Sequence, residues 1–83
     1  MKTIAFTHAA AKDLDALPAE AREDVLRGLD LYAMTGRGDV KALTGRSGFR
    51  LRIGRYRVLF DEDTRTILAI HVGKRETTTY RRN

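Results

Sequence analysis

Arginines occupy positions 50, 52, 55 and 57 of an 83-residue chain, within the run Phe-Arg-Leu-Arg-Ile-Gly-Arg-Tyr-Arg-Val-Leu-Phe that spans Phe49 to Phe60. Another follows at Arg75, just after Gly73 and Lys74. Like charges on this scale cannot be buried together without partners, so some must face solvent or a polyanion. A guanidinium is a planar fork that engages two oxygens at once, which makes phosphate the natural counter-ion. Strand alternation puts Arg50 and Arg52 on one face, and adjacent strands can bring Arg57 and Arg75 beside them. Such a set can hold negative charge developing on a phosphorus. It does not supply a base, because arginine stays protonated near neutrality. Tyr80, with a reference pKa of about 10, can act only where neighbouring cations lower it. His71 is the one side chain of this region that titrates near neutral pH.

Plainer readings stand beside each of these. Arg50 and Arg52 can form a solvated strand face, Arg57 can pair with Asp61 or Glu62, and Arg75 can simply end a strand. The ring of Tyr80 can pack on the core edge, and His71 can be a satisfied structural histidine. The Asp61-Glu62-Asp63 run fits an exposed hairpin turn better than a metal site. Two distant histidines and no cysteine offer no ligand spacing for a metal.

The charge distribution sharpens the case for a polyanion. Through Gly36 there are four Lys/Arg against six Asp/Glu, whereas from Arg37 onward there are twelve against five. The formal charge of +5 therefore belongs to the C-terminal half, which points to nucleic acid or an acidic protein as partner. Twelve of the sixteen basic residues are arginine. A lysine-to-arginine bias of composition explains the type but not the clustering. The absence of cysteine suits a reducing compartment, and the sequence carries neither a membrane-spanning stretch nor a signal-peptide core. A cytoplasmic chain forming a single domain over residues 1–83 is expected, with a core small enough to gain from a partner.

The elements that must position these residues follow from periodicity. Alternation of Ile4 and Phe6 predicts a strand over Lys2–Thr7. A helix starting at Thr7 or His8 carries Ala10, Leu14 and Leu17 on one stripe. Pro18 breaks it and opens a second helix to Thr35, with Val25, Leu26, Leu29, Tyr32 and Ala33 at helical spacing and Gly36 as its stop. These two are expected to form a helical hairpin, whose close approach accounts for Gly28 inside the second helix. Residues 36–48 read as a connecting loop anchored by Val40 and Leu43. Strands are predicted over Phe49–Ile53, Tyr56–Asp61 and Thr66–Gly73, joined by turns at Gly54-Arg55 and at residues 62–65. The class is α+β, in the order β-α-α-β-β-β, with a small antiparallel-rich twisted sheet and the helical hairpin on one face.

Taken together, the Arg-Leu-Arg-Ile-Gly-Arg-Tyr-Arg-Val-Leu-Phe run, the short acidic turn, the Ile-His-Val-Gly-Lys-Arg-Glu stretch and the late Tyr80 resemble the RelE/ParE toxin superfamily of bacterial type II toxin–antitoxin systems. The resemblance spans nearly the whole chain. In its RelE-like branch it implies a ribosome-dependent mRNA endonuclease that inhibits translation without metal or other cofactor. In that chemistry the 2′-OH attacks the adjacent phosphate, leaving a cyclic phosphate and a free 5′-OH. It implies catalytic roles for Arg57, Arg75 and Tyr80. RNA binding falls to Arg50, Arg52, Arg55 and Lys74, and His71 is a further candidate for proton transfer. The chain departs from the best-known members in carrying arginine where they carry lysine at positions 50 and 52, and in a shorter spacing from Arg75 to Tyr80. The alternative is a ParE-like toxin that inhibits DNA gyrase by binding it, without nuclease activity; a third reading is an RNA-binding domain without catalysis. The implied partners are a cognate antitoxin, in a higher-order toxin–antitoxin complex, and the ribosome with its mRNA.

Overall fold

The computed structural model describes residues 1–74. In chain order its elements are β1 (Thr3–Phe6), α1 (His8–Asp15), α2 (Ala19–Thr35), β2 (Asp39–Ala42), β3 (Phe49–Ile53), β4 (Tyr56–Glu62) and β5 (Thr66–Lys74). The strands form one five-stranded sheet in the order β1-β5-β4-β3-β2. Pairing is antiparallel from β2 through β5, and β1 joins β5 in parallel, with Ile4 opposite Ile67 and Phe6 opposite Ala69.

Local chemistry explains where the helices begin and end. Thr7 caps α1, its hydroxyl accepting the Ala10 N–H at 3.1 Å. Pro18 occupies the cap position of α2, where its missing N–H costs nothing. Gly36 closes α2 in the left-handed region at φ 76° and donates its N–H to the Tyr32 carbonyl at 2.8 Å, a conformation that glycine adopts without a Cβ penalty. Arg22 ties the helices together by donating to the carbonyls of Leu14 and Leu17.

Both helices cover the same sheet face. The buried core joins Ala10 and Leu14 of α1, Val25, Leu29 and Ala33 of α2, and Leu51, Val58, Phe60, Ile67, Ala69 and Val72 of the strands. At its centre Phe60 lies 5.5 Å, ring centre to ring centre, from both its cross-strand neighbour Phe49 and Tyr32 of α2. At the rim of this cluster the Tyr32 hydroxyl donates to Glu62 at 2.8 Å, and Glu62 also accepts from Lys2 at 2.8 Å.

Three features differ from the sequence expectation. Part of the anticipated loop, Asp39–Ala42, is β2, an edge strand that inserts only Val40 toward the core; one half-buried residue in four leaves no alternation to read. The close approach at Gly28 comes from the sheet, not from α1: a Cβ there would lie 2.6 Å from Ile53 Cδ1 and 2.8 Å from its Cγ1. Finally, β5 does not alternate regularly. Leu59 pairs with His71 and Phe60 with Ala69, so Ile70 is the extra residue of a β-bulge. Ile67 and Ala69 point into the core before it, and Val72 after it.

Two stability measurements test this packing. Gly28→Ala gains up to ~1 kcal/mol of helix propensity but overpacks Ile53, at ~1–3 kcal/mol; a net loss of about 1 kcal/mol is expected, read as a lower urea midpoint at unchanged m value. The Tyr32 phenol is pushed up to about 12, first by desolvation and then by the Glu62 carboxylate. A phenol whose folded pKa is raised binds its proton more tightly in the native state, so its contribution is intact below pH ~10 and is lost as pH rises from there toward the folded value. The stability difference between wild type and Tyr32→Phe should therefore shrink across that alkaline window in pH-dependent urea melts.

Candidate functional site

Because Leu51, Val58 and Phe60 point under the helices, Arg50, Arg52 and Arg57 emerge on the opposite face. Register aligns them into two cross-strand rows. One runs Lys41, Arg50, Leu59, His71 and the other Asp39, Arg52, Arg57, Gly73. Among the described residues no helix covers this face.

The electrostatics of the rows are unbalanced. Arg52 and Arg57 are directly opposed, an arrangement that destabilises a sheet. Asp39 offsets part of this from the far side, 3.7 Å from Arg52 Nε. Arg57 has no ion pair with Asp61 or Glu62: Glu62 is engaged by Lys2 and Tyr32, and among the described residues no carboxylate pairs with Arg57 or Arg50. Arg50 Nε is buried with no acceptor among the described residues, a donor whose desolvation they leave uncompensated. Among the described residues, two guanidinium groups therefore have no carboxylate partner and a third is only loosely held, an arrangement with the chemistry to engage anions.

His71 stands on the same face, half exposed, with Nδ1 2.9 Å from Asp13 Oδ2. The bulge at Ile70 is responsible, since regular alternation from Ile67 and Ala69 would have sent His71 toward the core. The acidic turn is structural: Asp63 accepts the N–H groups of Arg65 and Thr66, both at 2.8 Å. These bonds hold its carboxyl below the usual range.

Not every residue singled out in the sequence converges here. Arg55 sits in the β3–β4 turn and lines a groove with Pro18, Glu20, Asp24 and Leu31 on the helix side of the sheet. Lys74 pairs with Tyr56, whose parity belongs to the helix-covered face. Arg75 and Tyr80 lie outside the described residues. Two residues were not anticipated. Lys41 joins the face through β2, which the sequence did not announce. Asp13 reaches it from α1, 58 positions away from His71, and no local pattern marks such a pairing.

Several solved structures share this fold. The toxin–antitoxin complex RelBE2 from Mycobacterium tuberculosis matches at 31% identity and a TM-score of 0.76, over 89% of this chain and 91% of that one. The isolated RelE toxin of E. coli matches at 21% identity and a TM-score of 0.74, over 93% and 87%. The archaeal RelE–RelB complex from Pyrococcus horikoshii OT3 matches at 22% identity and a TM-score of 0.74, over 89% and 94%. No family model matches the sequence, and no curated protein does either.

Binding of a short single-stranded RNA, titrated against salt, tests the charged face. Each unpaired arginine that meets a phosphate contributes about 0.7 to the slope of log K against log salt. Arg50→Gln and Arg57→Gln should each lower the slope by about that amount, whereas Arg27→Gln, on α2 and paired with Asp24, should leave it unchanged.

Proposed function

The chain belongs to the RelE family of toxins of type II toxin–antitoxin systems, and on that footing we propose that it is an mRNA endonuclease that acts with the ribosome and inhibits translation. The observation that carries the reading is the convergence of Arg50, Arg52 and Arg57 on one uncovered sheet face, with two of the three lacking a carboxylate partner among the described residues. A face built this way suits a phosphodiester. Transesterification by the 2′-OH needs no external nucleophile, so the protein's task is to align the sugar with the phosphate and to stabilise the dianionic phosphorane. Guanidinium groups aimed at the non-bridging oxygens supply that stabilisation, and removing one donor of such a set typically costs 10²–10³-fold in rate.

In this reading Arg57 holds the scissile phosphate, and Arg50, Arg52 and Lys41 hold its neighbours. The roles that the family resemblance gives Arg75 and Tyr80 complete the site. Arg55 and Lys74, set toward the helix side, are available to the wider RNA backbone rather than to the reacting phosphate. The work is done in the cytoplasm, where translating ribosomes present the mRNA.

The toxins of the RelBE2 and RelE–RelB structures are bound to antitoxins, and this chain is proposed to have its own. Leu31 and Met34 of α2 are large apolar side chains, 51% and 61% exposed, and offer such a partner a hydrophobic footing. An antitoxin that also lays carboxylates over the arginine face would silence it directly.

The test is 5′-end mapping of a defined mRNA in a reconstituted translation system. Wild type should cut in a ribosome-dependent manner, and Arg57→Ala should cut at least about 100-fold more slowly. Intact mRNA with the wild-type chain would overturn the nuclease reading; inhibition of DNA gyrase supercoiling by the same preparation would then establish a ParE-like binder instead.

A further inference from the structure

Among the described residues, the arginine face carries one imidazole beside its cations, that of His71. The geometry points to His71 as the general base of the site, with Asp13 as the residue that positions it; this rests on the nuclease reading above.

Asp13 Oδ2 lies 2.9 Å from His71 Nδ1 and also accepts the backbone N–H of Val72 at 3.1 Å. An ionised carboxylate only accepts hydrogen bonds, so the proton of a neutral His71 resides on Nδ1 and the lone pair on Nε2. The backbone bond holds the carboxylate in place independently of the imidazole.

The free nitrogen is aimed into the charged face. A Cβ at residue 73 would lie 2.8 Å from His71 Nε2; glycine there leaves the room in which the ring rests. Gly73 is the register partner of Arg57. The imidazole therefore leans from its own row into the row of Arg57, with Nε2 leading. His71 is half exposed on its side chain, so substrate has access to it.

Placing this carboxylate is not an incidental product of helix chemistry. Asp13 lies in the last turn of α1, where the helix dipole disfavours a negative charge. Its position is set by the edge of β5. β1 pairs only with Thr66–Ala69, which leaves the edge from Ile70 onward to α1 and its cap. Thr7 donates its hydroxyl to the Ile70 carbonyl at 3.2 Å, and Asp13 receives Val72 two residues on.

In the step this supports, Nε2 takes the 2′-OH proton as the 2′-oxygen bonds to phosphorus. The bond from phosphorus to the 5′-oxygen then breaks, and its electron pair leaves with that oxygen, which is protonated by water. The imidazolium, held by Asp13, returns its proton to solvent. The charged groups facing His71 are Asp13 from α1 and, through β4 and β3, Arg57 and Arg50; β1 contributes none.

Two measurements on the full chain test the assignment. Nitrogen-15 spectra of the imidazoles should show the Nδ1–H tautomer for His71 in wild type and a mixture in Asp13→Asn; an Nε2–H tautomer in wild type overturns the pairing. In the ribosome-dependent cleavage assay, His71→Gln should lose about 100-fold or more. Asp13→Asn should lose about 10-fold, a loss of the size seen when a residue orienting a histidine is removed. A wild type that cuts alongside a His71→Gln that cuts equally fast overturns the base assignment alone. Intact mRNA with wild type overturns the nuclease reading, and the assignment with it.

Discussion

Strand alternation around Phe60 is the constraint on which the remaining structure depends. Burying Phe60, Val58 and Leu51 beneath the helices removes three apolar side chains of the two central arginine-bearing strands from water, each at about 1.5–3 kcal/mol. Because the period of a strand is two, that burial leaves Arg50, Arg52 and Arg57 only the other face. The chain thus stabilises itself and presents its cations through the same hydrogen-bonded ladder. A one-residue slip of β3 against the helices would bury the arginines, a cost far exceeding any contact the slip could form. The fold is therefore a strong specification of where the positive charge goes.

Regularity would nevertheless leave the face without its imidazole. The bulge at Ile70 changes the parity of β5, returning Val72 to the core and turning His71 outward. Bulges re-aim side chains at the cost of one unpaired residue, and here the freed backbone is used: Thr7 takes the Ile70 carbonyl and Asp13 the Val72 N–H. The short reach of β1 is what allows it. Had β1 continued along β5, its backbone would occupy the edge that α1 now decorates. The imidazole, its carboxylate and the guanidinium row are thus one consequence of ending a strand early.

The face is electrostatically uneasy. Arg52 opposes Arg57, Arg50 Nε lacks an acceptor among the described residues, and the carboxylate that faces Arg52, Asp39, is exposed and 3.7 Å away. Like charges directly opposed across a strand pair destabilise it, and salt screens only part of that repulsion. Part of what packing contributes is offset here, as is usual where a surface is built for a ligand. An anionic partner laid over the same residues would relieve the repulsion.

Read alone, the sequence determined the class of the fold and most of its elements. The cap at Thr7, the break at Pro18, the stop at Gly36 and the alternation in Phe49–Ile53 and Tyr56–Phe60 are local signals, and local signals survive in one dimension. It also determined that Arg50 and Arg52 share a face and that the basic charge belongs to the C-terminal half. What only the tertiary structure decided are the facts that depend on distant pairing. β2 is a strand because β3 lies beside it, not because Asp39–Ala42 alternates. Gly28 is required by Ile53 of the sheet. His71 shares the parity of Gly73 in the sequence as in the fold, but the bulge that keeps both off the core face leaves no mark in the nearly continuous apolar stretch Ile67–Val72. The partnership of Asp13 with His71 joins the first helix to the last strand, and only the parallel docking of β1 on β5 brings them within 2.9 Å.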